Sequence, residues 1–201
     1  MSMVSVIWRR LDVPGHDACR LVRQRSGWRL EGVAAFRHES GAPACVSYAV
    51  DCDEGWRTRA GAVTGWVGDH ALDLRVRRTA SGTWLLGDQA IAGLDECLDL
   101  DLGFTPATNL FQLRRMALAV GQAADVPVAW LDVPDGGLRV LHQRYERLSV
   151  EVYRYEAPLF DYVASLHVGD AGFVTTYPEL WEAEAIDVQQ GAPAGTTKPR
   201  R

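Results

Sequence analysis

The feature that most constrains this chain is a period of two. From Val4 to Tyr177, apolar side chains recur at alternate positions in short runs, and clusters of Gly, Pro, Ser and Asp separate the runs. Leu72, Leu74 and Val76 alternate with Asp73, Arg75 and Arg77. Val46, Tyr48, Val50 and Cys52 alternate with Ser47, Ala49 and Asp51. Trp28, Leu30, Ala34 and Phe36 keep the same parity, with Arg29, Glu31 and Arg37 between them. Successive side chains of a strand point to opposite faces, so each run reads as a strand with one buried and one wet face. The breaks fall roughly every eight to twelve residues, the spacing of an antiparallel meander.

The run Trp56–Val63 places Trp56 and Thr58 on one face and Arg57 and Arg59 on the other. Glycines 61, 65 and 68 punctuate it, and glycine within a strand marks a bulge or a place where something approaches the backbone closely. In the second half, Val126, Val128 and Trp130 alternate before the turn Pro134-Asp135-Gly136-Gly137. In the run Arg139–Leu148, Leu141, Gln143 and Tyr145 share one face with neither face fully apolar. Further strands follow through Tyr153, Tyr155 and the run Phe160–Val168.

Between the two halves lies a stretch of different character, Cys97-Leu98-Asp99-Leu100-Asp101-Leu102-Gly103-Phe104-Thr105-Pro106-Ala107-Thr108-Asn109, running on to Arg114-Arg115. It reads as the crossing point between two halves of one sheet. Leu98, Leu100 and Leu102 predict an apolar strand face, and Asp99 and Asp101 an acidic one. Pro106 ends the strand, since it has no N–H for a ladder and biases Thr105 to extended geometry. Helix is expected only from Phe111 to Val120, where Leu113, Met116, Ala117 and Val120 keep a three- and four-residue spacing and Gly121 stands where a cap belongs.

The 201 residues are enough for one domain, expected over 1–188, with a disordered Gly/Ala/Pro/Thr tail over 189–201. No apolar run approaches the ~20 residues of a membrane helix, and no secretory signal opens the chain, so a cytoplasmic location is expected. A net charge of -5 argues against a nucleic-acid partner. Lys198 is the only lysine, so arginine supplies almost all positive charge, and its planar fork suits phosphate or carboxylate groups. Cys19, Cys45, Cys52 and Cys97 show no metal-ligand spacing, and neither metal nor cofactor is expected.

Several pieces together resemble a bacterial family of putative glycolipid-binding proteins. They are Tyr48-x-Val50-x-Cys52-Asp53 with Trp56-Arg57-Thr58-Arg59, the central run from Cys97 to Asn109 with Arg114-Arg115, Ala129-Trp130, Gln143-Arg144-Tyr145, Tyr153-Arg154-Tyr155 and Gly172-Phe173-Val174-x-x-Tyr177. They occur in order from Trp8 to Trp181. The resemblance implies a spiral β-roll, a strongly curved antiparallel sheet wrapped round an apolar cavity, similar in outline to half-barrel carriers of bacterial lipoproteins.

A curved sheet of this size needs a plug or a cavity on its concave side. Trp28, Trp56, Trp66, Tyr153 and Tyr155 are the candidate wall of such a cavity. Arg57, Arg59, Arg114 and Arg115, with Asp99, Asp101, Asn109, Gln143 and Tyr145, are the candidate polar rim for a sugar hydroxyl or phosphate. The expected function is therefore non-catalytic binding of a glycolipid or other lipidic small molecule. One alternative is a hydrolase of glycosidic or ester bonds using Asp99 and Asp101, whose Cβ atoms would stand about 7 Å apart at i and i+2 of a strand. The other is a protein-interaction scaffold presenting an open sheet edge.

Overall fold

The structure is a computed structural model that describes residues 3–189. The expected tail lies outside these residues except for Gln189, which ends a strand. Strands β1 (Met3–Arg10), β2 (Gly15–Gln24), β3 (Gly27–Arg37), β4 (Pro43–Cys52), β5 (Thr58–Val67), β6 (His70–Arg78), β7 (Trp84–Leu86) and β8 (Gln89–Ile91) pair in chain order as an antiparallel meander. The crossing stretch follows and carries β9 (Leu100–Leu102) and the helix α1 (Asn109–Met116). A second meander is built from β10 (Ala123–Leu131), β11 (Leu138–Arg147), β12 (Val152–Ala157), β13 (Tyr162–Val168), β14 (Val174–Tyr177) and β15 (Trp181–Gln189). A 3₁₀ turn, Pro158–Phe160, joins β12 to β13.

β15 pairs with β1, so the first and last strands meet near the middle of one curved, unclosed 15-stranded sheet. Its edges are β8 and β9. Every pairing is antiparallel except that of β9 with β10. Alternation explains the faces: Ala44, Val46, Tyr48, Val50 and Cys52 of β4 are buried while Ser47 between them is exposed.

The crossing stretch fills most of the interior. Leu100, Leu102, Phe104, Leu110 and Phe111 are almost wholly buried. Phe104 lies against Phe36 of β3 and Tyr48 of β4, with ring centroids 6.4 and 5.8 Å away. Two glycines make room for this packing. A β-carbon on Gly61 of β5 would stand 2.3 Å from Cδ2 of Leu100, and one on Gly32 of β3 would stand 2.5 Å from the Tyr48 hydroxyl oxygen. Gly61 is thus a place of close approach, as its position within a strand predicts.

The structure corrects three local expectations. Asp99 and Asp101 do not form a wet face, because β9 lies inside the molecule and both are buried. The helix is Asn109–Met116 rather than Phe111–Val120. It stops because Ala117 turns left-handed (φ 46°) and donates its N–H to Leu113 O, while Gly121 lies beyond, bonding Arg147 O. Trp56 precedes β5 in a turn at φ 66°, so it does not share a strand face with Thr58. Among the described residues no helix is long and apolar enough to cross a membrane.

Candidate functional site

The crossing stretch and β11 together build a buried polar network. Gln143 and Tyr145 are two apart on β11 and so point to the same, inner face. β10 alone separates them from β9 and Asp101. Thr108 Oγ1 donates to Asp101 Oδ1 at 2.7 Å, and Gln143 Nε2 donates to Asp101 Oδ2, also at 2.7 Å. Asn109 Nδ2 donates to the Tyr145 hydroxyl at 2.8 Å, and that hydroxyl donates to Gln143 Oε1 at 3.3 Å. Thr108 also accepts from Leu102 N at 3.1 Å, so its hydroxyl is unavailable to cap α1. Burial pushes the Asp101 carboxyl above the usual carboxylate range, and the two donors pull against it. Burial likewise pushes up the Tyr145 hydroxyl.

Against this network lies a cavity of about 310 Å³. Its floor includes Asp101 and Asn109, and its walls are aromatic: Trp130 of β10, Tyr155 of β12, Phe160 of the 3₁₀ turn, Tyr162 of β13, Tyr177 of β14 and Trp181 of β15. The three tyrosines pack on one another with ring centroids 5.5 to 6.2 Å apart. Trp130 meets Phe160 edge to face at 5.5 Å. Phe160 is 52% exposed and, with Leu180, stands where the cavity meets solvent. A second carboxylate, Asp132, borders the cavity beyond the end of β10, and burial pushes it up as well.

The remaining expected site residues fall elsewhere. Arg115 closes a bidentate ion pair with Asp99, its Nη2 2.6 Å from Oδ2. Trp28 and Trp56 stack at 4.9 Å, with the Arg23 guanidinium over Trp28 at 4.9 Å and that of Arg114 over Trp56 at 5.8 Å. The result is a ladder, Arg23–Trp28–Trp56–Arg114, whose aromatic faces are covered by the chain's own side chains. Arg59 reaches Ser26 Oγ at 3.2 Å on the outside, and Trp66, 43% exposed, lies on the outer face of β5. Tyr153 is buried beneath Arg147, away from the cavity. Arg57 borders neither the network nor the cavity; its backbone N–H donates to Asp53 Oδ1.

The arginines expected at a polar rim are thus not brought to this cavity, whereas Asp101, Asn109 and Tyr155 are. Aspartates and aromatics line the cavity, and among the described residues no arginine borders it. The arginines instead cap Trp56 or neutralise Asp99. Trp130, Asp132, Tyr162, Tyr177 and Trp181 are the lining residues that sequence reasoning missed. They come from separate strands, and only the curl of the sheet brings them together. A larger hollow, about 810 Å³, is an open trough on the outer face of β15 and β1 to β6. Small side chains such as Ala18, Ala49 and Ala62 floor it. Of its charged groups, Arg20 and Arg29 both pair with Glu31, at 2.5 and 3.1 Å, and Arg75 pairs with Asp73 at 3.1 Å.

A second buried carboxylate cluster ties the crossing stretch to the first meander. The Asp17 carboxylate of β2 accepts from the Tyr48 hydroxyl at 2.9 Å and from the hydroxyl of Thr105. Burial pushes Asp17 up to about 7, against these two donors. All four cysteines are free, and burial raises the thiols of Cys52 and Cys97 to about 12, which leaves them poor nucleophiles.

No curated protein matches the chain. Among solved structures, the crystal structure of a DUF1089 family protein from Pseudomonas aeruginosa is similar to it. The TM-score is 0.75 at 29% identity, over 84% of this chain and 91% of that one. A family model described as "Putative glycolipid-binding" matches residues 5–183. With that match running from β1 into β15 and through the whole crossing stretch, the chain belongs to the Putative glycolipid-binding family.

Proposed function

We propose that this protein binds an amphipathic, glycolipid-like small molecule without transforming it, and that the headgroup enters the aromatic cavity beside Asp101. The observation that carries the reading is the cavity's composition, six aromatic side chains over a floor of buried polar groups. Aromatic faces cover the apolar C–H surfaces of a sugar ring, while carboxylates and amides take its hydroxyls. The volume, about 310 Å³, sits at the small end of the ~300–1,000 Å³ range of ligand pockets, so it accommodates a headgroup and the start of a chain rather than a whole lipid. The rest of an acyl chain would leave past Phe160 and Leu180.

A binding role is favoured over hydrolysis by how the two aspartates are held. Asp99 is engaged by Arg115, and both oxygens of Asp101 accept hydrogen bonds from the protein. Family membership supports the same reading. The test is organic extraction of the freshly purified protein followed by lipid mass spectrometry. Recovery of a stoichiometric amphiphile is expected. Its absence, together with no response of the cavity tryptophans to added alkyl glycosides, would remove the proposal.

A further inference from the structure

Among the described residues that line the aromatic cavity, the charged ones are Asp101 and Asp132, and no lysine, arginine or histidine joins them. Arg10 and His38 lie near Asp132 without lining the cavity; the Arg10 guanidinium is bonded to Asp12 at 2.8 and 2.9 Å and stacked over Phe36 and Trp181, and His38 Nδ1 pairs with Ser40 Oγ at 2.9 Å. Among the described residues, an anionic group entering the cavity would meet two carboxyl groups and no lining cation, so nothing there would offset the loss of its hydration.

One corner of the cavity is shaped by a missing side chain. Gly103 follows β9, and a β-carbon there would stand 2.8 Å from Oδ2 of Asp132 and 2.9 Å from the indole Nε1 of Trp130. Asp132 Oδ1 accepts from Val133 N at 2.8 Å, which leaves Oδ2 turned toward Gly103. The lack of a side chain at Gly103 lets Asp132 and Trp130 close in on its backbone, so an acceptor, Asp132 Oδ2, and an N–H donor, Trp130 Nε1, stand together at this corner of the cavity. A hydroxyl suits such a pair because its oxygen accepts from the donor while its hydrogen is donated to the acceptor.

We infer that the headgroup is an uncharged polyhydroxyl ring, a neutral glycosyl group, with one hydroxyl accepting from Trp130 Nε1 and donating to Asp132, and that phosphate- or sulfate-bearing headgroups are excluded. The inference rests on the reading above that this cavity is the headgroup site. It makes Trp130, Asp132 and Gly103 the residues that set specificity.

The experiment titrates the full-length, delipidated protein with octyl β-glucoside and, separately, with octyl phosphate, following the tryptophan indole N–H signals by NMR. The Trp130 signal is assigned with Trp130→Phe. The glucoside is expected to shift that signal, with octyl phosphate binding at least about tenfold more weakly. Asp132→Asn is expected to weaken the glucoside by roughly tenfold, the loss of one charge-assisted hydrogen bond, and to narrow the gap between the probes. Gly103→Ala, whose methyl group forces Asp132 and Trp130 away from the backbone, is expected to abolish the shift. Octyl phosphate binding as tightly as the glucoside in the wild-type protein, a comparison that needs no variant, overturns the inference but leaves the cavity as the headgroup site. If neither probe moves the Trp130 signal, the assignment of the cavity falls as well.

Discussion

The hydroxyl of Thr58 accepts the backbone N–H of Leu100 at 2.9 Å, and the N–H of Thr58 donates to Leu98 O, also at 2.9 Å. One residue at the start of β5 thus joins the first meander to the edge strand of the second. Beside it, Thr108 Oγ1 accepts from Leu102 N, so both outward N–H groups of β9 end on side-chain hydroxyls rather than on a neighbouring strand. An edge satisfied in this way has no free donors with which to recruit another chain.

Thr58→Val keeps the shape of the side chain and removes the acceptor, leaving the buried Leu100 N–H without a partner. An unsatisfied buried donor costs about 1–3 kcal/mol. Urea denaturation is expected to show a loss of that size, and Thr58→Ser, which restores the hydroxyl, should recover most of it. A valine variant as stable as wild type would show that the seam contributes nothing.

Gly61→Ala forces a methyl group to within 2.3 Å of Leu100 Cδ2. Overpacking of this kind typically costs about 1–3 kcal/mol. Trimming the partner with Leu100→Val should relieve part of the clash, so a double-mutant cycle is expected to give a favourable coupling. Additive losses would mean that the two residues do not meet.

Asp17 makes stability depend on pH. Its carboxyl is pushed from an ordinary 3.8 up to about 7 in the folded protein, so the native state holds a proton that the unfolded chain has released. The stability associated with that proton is complete below about pH 4, falls as pH rises, and is gone above about pH 7. The displacement from 3.8 to about 7 sets an upper bound of roughly 4 kcal/mol. Asp99, Asp101 and Asp132 are displaced in the same direction, so the informative quantity is the difference between wild type and Asp17→Asn. Guanidinium melts at pH 5 and pH 8 should show a smaller pH-dependent loss in the asparagine variant. Equal losses would mean that Asp17 is ionised at both pH values.

The period of two made most of the sheet legible before any coordinates: Val46, Tyr48, Val50 and Cys52 are buried as their alternation requires. The crossing stretch was legible as a junction, because its polarity differs from that of both flanks. The start of α1 was hidden, since Thr108, in the capping position, spends its hydroxyl on Asp101 and Leu102 instead of the helix. Asp17 carried a signal that was overlooked. It precedes Cys19 and Leu21 by two and four positions, and so belongs to the inward face of β2. The cavity carried none. Asp132, Tyr162, Tyr177 and Trp181 are separated by turns, and their meeting depends on how far the sheet curls.

The ion pair of Asp99 with Arg115 separates a structural role from a catalytic one. Asp99 is fully buried, whereas the Arg115 side chain keeps 20% of its surface in solvent. Removing the arginine strands a charge inside the molecule; removing the aspartate frees a guanidinium that water can still reach. Arg115→Ala is therefore expected to cost about 3–5 kcal/mol near neutral pH, and Asp99→Asn distinctly less. Because Arg115 pulls the Asp99 carboxyl down against its burial, the alanine variant should hold that proton to higher pH than wild type does. Its deficit should consequently shrink on acidification toward pH 5, because a carboxyl that takes up its proton more readily has less need of a cation. Urea titrations at pH 5 and pH 7.5 read both effects. An alanine variant within 1 kcal/mol of wild type at both values would show that Asp99 carries no charge in the folded protein, the state a general acid would need.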